Sequence, residues 1–387
     1  MPPAMKSSAS PSFRPAVSAG FLLLLAAFCW AAYSFSSRSP LPYDVFSPSV
    51  LLSFHAPLPQ GRRLFSLAFA RFFLSLGFSP GAALFASETA AAAAFLFSLR
   101  HIFMRFASPR AAVVAAVSAI ILLPPLFGTF YFQPWDTWLM AFLSWALVFI
   151  LEARFLPLLV LMPFASLNHE SAALIPLLFL AVHVGRLPIS RSRRSLFWIG
   201  LALLAIHATI LYLAATWTSH RAIANFYAPA DTWAGMVLRH PKASGGSQFN
   251  WLFNLRDACA SPLAVPALLV SVSFLPPAWL LLWRFHTPES RRCALVALFH
   301  VASVFVTGFL FETRCWAATL AILYPLVAIA LFRALGLSTP SAALPGLPPI
   351  PEPAQRILSR LEILALVLLP LAVVAFIAIE PLLLPPA

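Results

Sequence analysis

Acidic side chains are scarce in this chain: 12 Asp and Glu stand among 387 residues, against 25 Lys and Arg. Lysine is nearly missing, present only at Lys6 and Lys242, so the basic excess is almost wholly arginine. The four cysteines (Cys29, Cys259, Cys293 and Cys315) form neither a CxxC pair nor a Cys/His metal spacing, and no disulfide is expected from them. No metal site is expected either. An internal repeat is absent, which argues against an inverted-repeat transporter. Alternating segments of about ten residues are also absent, and this excludes a β-barrel.

What is present is apolar length. The chain is 61% hydrophobic, and several runs of about 17–25 residues carry few charges, enough to cross a ~30 Å hydrocarbon core. The fold class expected is therefore all-α, a polytopic transmembrane helical bundle of about eleven spans. The formal net charge of +13 does not imply a nucleic-acid partner. Its arginines lie in short loops between apolar runs, where membrane topology explains them.

Spans are expected near 16–35, 81–103, 111–130, 137–151, 155–167, 171–185, 195–217, 263–283, 293–310, 315–334 and 361–380. With the N-terminus inside, most of the Lys and Arg residues fall in inner loops, including Arg100, Arg105, Arg110, Arg154, Arg186, Arg191, Arg193 and Arg194. Lys6 and Arg14 precede the first run, read as an uncleaved span. A cleaved signal peptide ending near Ala31-Ala32 is the alternative, and either leaves the next loop outside. Residues 62–78 carry Arg71 at their middle and are expected to form an amphipathic helix in the outer interface. Residues 155–185 are expected to turn at Asn168-His169-Glu170, because one long helix would put the basic cluster 186–194 outside. The first outer loop is placed at 36–80, a large polar and aromatic outer loop at 218–262 and a Pro-rich inner linker at 336–358. Together they complete a single transmembrane domain over 1–387.

In so apolar a chain, carboxylates that recur at span ends attract attention. Pro134-Trp135-Asp136, Asn168-His169-Glu170-Ser171 and Phe311-Glu312-Thr313-Arg314 each close or open an apolar segment, and Asp44 lies in the first outer loop. The threading sends Asp44, Asp136, His169, Glu170, Glu312 and Arg314 all to the outer side. Glu88 lies about two turns inside its span, where an ionisable group is costly. Each has a structural reading too: Asp136 as a helix cap, Glu170 as an acid favoured by a first helical turn, Glu312 and Arg314 as an ion pair. The inner acids Glu152, Glu289, Glu352 and Glu362 read as ordinary loop charges, and His207 and His300 as hydrogen-bonded core histidines. Arg62 and Arg63 lie near lipid headgroups, where they could hold a lipid phosphate, but read first as solvated loop charges.

The three motifs over about 130–335 resemble a group of bacterial membrane proteins with an Asn-Arg-Glu-Thr type motif and a late Glu-x-Arg. In this chain His169 stands for the usual Arg and Ser171 for the usual Thr. That group in turn resembles the GT-C glycosyltransferases, which use polyprenyl-phosphate sugars and place an essential acid in the first outer loop before an interfacial helix. Asp44 followed by residues 62–78 is similar to that arrangement. The resemblance implies a multi-pass enzyme of the bacterial inner membrane with a lipid-linked sugar and membrane lipids as partners; the arginine distribution puts the N-terminus in the cytoplasm, and the cofactor, including any metal need, stays open. Asp44, Asp136 and Glu170 would be catalytic, and Glu88, His169, Glu312 and Arg314 would bind substrate. The rival expectation is a transporter or flippase for a lipid-linked or anionic solute.

Overall fold

The computed structural model describes residues 14–36, 63–122, 134–184, 191–219, 264–307 and 316–337, with Leu52, Leu255, Cys259 and Pro262. These residues are helical and contain no strand. In chain order the helices are α1 (Arg14–Ser36), α2 (Leu64–Ser75), α3 (Pro80–Phe103), α4 (Pro109–Leu122), α5 (Pro134–Leu151) and α6 (Phe155–Asn168). A 3-10 turn (Glu170–Ala173) then leads into α7 (Leu174–His183), followed by α8 (Arg191–Ser219), α9 (Ala264–Ser271), α10 (Leu275–Leu281), α11 (Pro288–Thr307) and α12 (Ala317–Ala334). Pro80–Phe103, Leu196–Ala214 and Ala317–Ala334 are long and apolar enough to cross a membrane, and shorter apolar helices accompany them. The expected last span, the inner linker beyond Leu337 and nearly all of the 218–262 loop lie outside the described residues.

α3 starts where the local sequence dictates. Gly77, at φ +90, ends the preceding α2 in a left-handed turn that a side chain would strain. Ser79 then accepts the Ala82 N–H on its Oγ, and Pro80 supplies the fixed φ of a first helical residue. The helix carries Arg100 in its last turn, a cation that suits its C-terminal dipole.

α3 and α5 lie side by side and parallel. Thr137 Oγ1 donates to Glu88 at 2.6 Å, and Trp138 Nε1 donates to Ser87 Oγ at 3.1 Å. Further along, Trp145 Nε1 reaches the Ala94 carbonyl at 2.9 Å, and Ser98 meets Ser144 at 2.6 Å. At the far end His101 meets Glu152 at 2.7 Å. Polar groups buried in an apolar bundle are costly unless bonded, so these cross-links set the register of the two helices. They also place Glu88 and Asp136 at one end of the bundle and Glu152 at the other.

The chain reverses at residues 168–170, as expected. His169 is extended at φ −161, ψ 142 and breaks the helix after Asn168. The Phe155 ring packs 5.5 Å from both Phe179 and His183, so the start of α6 and the end of α7 return to the same end. Arg105, Arg154, Arg292 and Arg333 share that end. Arg292 donates to the carbonyls of Ala181 and Val182, Arg333 to that of Phe285, and Arg105 and Arg154 contact Glu152.

α12 fills the middle of the bundle and is mostly buried, whereas α8 leaves most of its apolar stretch uncovered and lies at the edge. α8 nevertheless approaches α7 closely. A Cβ on Gly200 would stand 2.4 Å from Leu180 Cδ2, so only glycine fits without repacking.

Candidate functional site

Two short motifs dock on each other at the end opposite the arginines. Asn168, fully buried at the end of α6, donates from Nδ2 to the Trp135 carbonyl at 2.8 Å. The adjacent His169 brings Nε2 to 3.9 Å from Asp136 Oδ1. Neighbouring residues of one motif thus contact neighbouring residues of the other, and Asp136 is buried at 2% exposure beneath them. An acid in the first turn of α5 is favoured by the helix dipole; burial at that position requires closer partners as well.

The His169 ring has a defined orientation. The Ser171 backbone N–H donates to Nδ1 at 3.0 Å, capping the 3-10 turn. A ring nitrogen that accepts a proton donor carries none itself in the neutral imidazole, so the proton sits on Nε2, facing Asp136. Glu170 Oε2 stands 3.6 Å from Nδ1.

Arg63 completes the group from a distant part of the chain. Its Nε and Nη2 donate to the two Glu170 oxygens at 3.1 and 2.5 Å, a fork-to-fork geometry that fits a carboxylate. The guanidinium lies 5.2 Å from the Trp135 ring centre, and Nη1 is buried with no hydrogen-bond partner among the described residues. Glu170 sits at the turn between α6 and α7, its side chain 53% exposed. Burial would raise its carboxyl, but the neighbouring His169 ring, then the charge and hydrogen bond of Arg63, outweigh this and hold it well below the usual carboxylate range.

Arg63 is placed by α2. Phe65, two residues on, packs edge-on against Trp138, Phe142 and Phe164 at 5.0, 5.0 and 5.8 Å. Phe69 meets Trp138 at 4.9 Å. This aromatic stripe at spacing four holds the short helix against α5 and α6, with Arg63 at its start over the acids. The expectation that Arg63 is a solvated cation is therefore corrected, since its side chain is only 7% exposed. Nothing in the sequence marked Arg63 apart from Arg62, because the burial comes from helices far away in the chain.

Glu88 joins the same end through Thr137, the residue after Asp136, and is itself 2% exposed. Two histidines support the turn from behind. His207 on α8 pairs through Nδ1 with Ser166 Oγ at 2.9 Å, two residues before the turn begins at Asn168. His300 on α11 pairs with Thr319 Oγ1 at 2.9 Å and approaches Ser171 Oγ at 3.5 Å. Both are hydrogen-bonded core histidines as expected, yet both lie against the motif.

Of the expected site residues, Asp136, His169 and Glu170 come together, with Glu88 one residue removed. Asp44, Glu312 and Arg314 lie outside the described residues. Among the described residues no group of three or more His, Cys, Asp and Glu side chains has the geometry to hold a metal ion. Among the described residues Cys29, Cys259 and Cys293 form no disulfide with one another. At the opposite end, Glu152 is more than a loop charge: its side chain is 11% exposed and contacts Arg105, His101 and Arg154. Ala153 at φ 55 and the bond from Arg154 N–H to the Phe149 carbonyl fix the turn that presents it.

In comparisons with known proteins, no protein-family model, no curated protein and no solved structure matches the chain.

Proposed function

We propose that this chain is a multi-pass membrane glycosyltransferase of the bacterial inner membrane. On this reading it has about eleven spans in a GT-C-like arrangement and a cytoplasmic N-terminus. It takes a sugar from a polyprenyl-phosphate donor at the outer face. The observation that carries the reading is the convergence of Asp136, His169 and Glu170 with Arg63 at the end of the bundle away from the arginine-rich turns. A bundle in which most basic residues gather at one end orients that end inward, and the acids then face outward.

Glycosyl transfer requires a base for the acceptor hydroxyl and positive charge for the departing phosphate. Among the described acids, Asp136 is the better base, because Glu170 is committed to Arg63 and its basicity is low. In the proposed step the acceptor oxygen forms a bond to the anomeric carbon as its proton passes to Asp136. The bond from that carbon to the phosphate oxygen breaks, and polyprenyl phosphate leaves with the electron pair. Arg63, through Nη1, and Arg314 are the cations proposed to receive it. Asp44 is kept as a second candidate base, with Glu88 and Glu312 as sugar ligands.

The rival reading, transport of a lipid-linked or anionic solute, draws on the buried Ser98–Ser144 pair midway along α3 and α5. Fully buried Ala91, Ala92 and Phe95 separate that pair from Glu88, which disfavours a continuous polar path. The test is purified protein in liposomes with a panel of polyprenyl-phosphate-linked sugars, following release of polyprenyl phosphate. Release that is lost in Asp136→Asn is expected. Movement of intact lipid-linked sugar between leaflets without cleavage overturns the proposal in favour of transport.

A further inference from the structure

We infer that His169 is a positioning residue for Asp136, with its tautomer locked by the backbone of the turn that contains it. This inference deepens the reading of Asp136 as the base. Three observations carry it. First, the Ser171 N–H occupies His169 Nδ1 at 3.0 Å, so the remaining ring proton is on Nε2. Second, Nε2 lies 3.9 Å from Asp136 Oδ1, beyond hydrogen-bond distance but near enough for its N–H dipole to act on the carboxylate. Third, the Asn168 bond to the Trp135 carbonyl at 2.8 Å pins the residue before His169 to the residue before Asp136, so the ring cannot drift from the carboxylate.

The arrangement answers a physical difficulty. Asp136 is 2% exposed, and burial disfavours an ionised carboxylate. A base must be ionised to take a proton. The N–H dipole held at Nε2, 3.9 Å away, favours the charged form electrostatically. The same lock excludes His169 from relaying the proton outward, because Nδ1 is already accepting from the backbone. The proton taken by Asp136 leaves by another route.

The geometry separates the two tasks of the side chain, and this makes the inference testable by a pair of variants. In His169→Asn, the side-chain oxygen stands near the position of Nδ1 and accepts from Ser171 N–H, keeping the cap and losing the reach to Asp136. In His169→Gln, the side-chain amide extends to the position of Nε2 and offers an N–H to Asp136. Infrared difference spectra against Asp136→Asn, taken across pH on the full-length protein, read the ionisation of Asp136 whether or not turnover is detected. Asp136 is expected to stay ionised to lower pH in the wild type and His169→Gln than in His169→Asn.

In the liposome assay, His169→Asn is expected to lower kcat by about 10- to 100-fold, with KM little changed and the acid limb of the pH profile moved to higher pH. His169→Gln recovers most of the rate. Identical titration of Asp136 in wild type and His169→Asn overturns the inference. A wild type that releases no polyprenyl phosphate overturns the transferase reading instead and leaves the infrared test standing.

Discussion

The side-chain amide of Asn168 bonds to the backbone carbonyl of Trp135 at 2.8 Å across 33 residues of sequence. This contact joins the two motifs around which the proposed site is built. Since Asn168 is fully buried, the carbonyl has no water to replace the bond.

Removing that contact tests how far the motif pair depends on it. Asn168→Ala leaves a buried carbonyl without its donor and is expected to destabilise the protein by about 1–2 kcal/mol. Thermal unfolding in detergent checks the loss. Asn168→Asp removes the donor and adds a charge, and should be worse than Asn168→Ala; equal stability of the two would show that the bond contributes little.

The Arg63–Glu170 pair predicts an asymmetry between its partners. Arg63 is 7% exposed and Glu170 53%. Truncating Glu170 strands a buried cation, whereas truncating Arg63 leaves a carboxylate that water can reach. Glu170→Ala is therefore expected to destabilise more than Arg63→Ala or Arg63→Met, and a double-mutant cycle measures the coupling.

The same pair sets a pH dependence. The Glu170 carboxyl titrates below its ordinary 4.5, so its stabilisation is complete above that value and is lost as pH falls below it. With the side chain half exposed, the loss is expected to be about 1 kcal/mol or less. Stability measured from pH 6 down to the acid range should fall less steeply in Glu170→Gln than in wild type. Parallel curves would remove Glu170 as the source.

Gly200 supports the turn indirectly through the α7–α8 contact. A Cβ there meets Leu180 Cδ2 at 2.4 Å and Cγ at 2.8 Å, with Phe179 Cδ1 at 3.3 Å. Gly200→Ala is expected to cost about 1–3 kcal/mol by overpacking. Adding Leu180→Ala should recover part of that loss if the clash with Leu180 is its cause.

Much of the bundle was legible in advance, because apolar length and helix-ending residues are local signals. Ser79-Pro80 opens α3 and Gly77 closes α2 through backbone preferences that neighbouring residues alone impose. The reversal at His169 was legible from Asn168-His169-Glu170 and from the arginine count on either side. The partners at the site were not. Arg63 and Glu152 both looked like solvated charges, and both are mostly buried in contact with opposite charge.

The sequence by itself determined that this is a helical, strongly apolar chain with a few acids at the ends of its helices. Periodicity, caps and hydrophobic length act over a handful of residues. The threading had already sent these residues to one side; only the tertiary structure decided that Asp136, His169 and Glu170 come into contact and that Arg63, 107 residues away, bonds to Glu170. Which charge is buried, and against what, depends on which helices pack together, and that packing is set by the whole bundle.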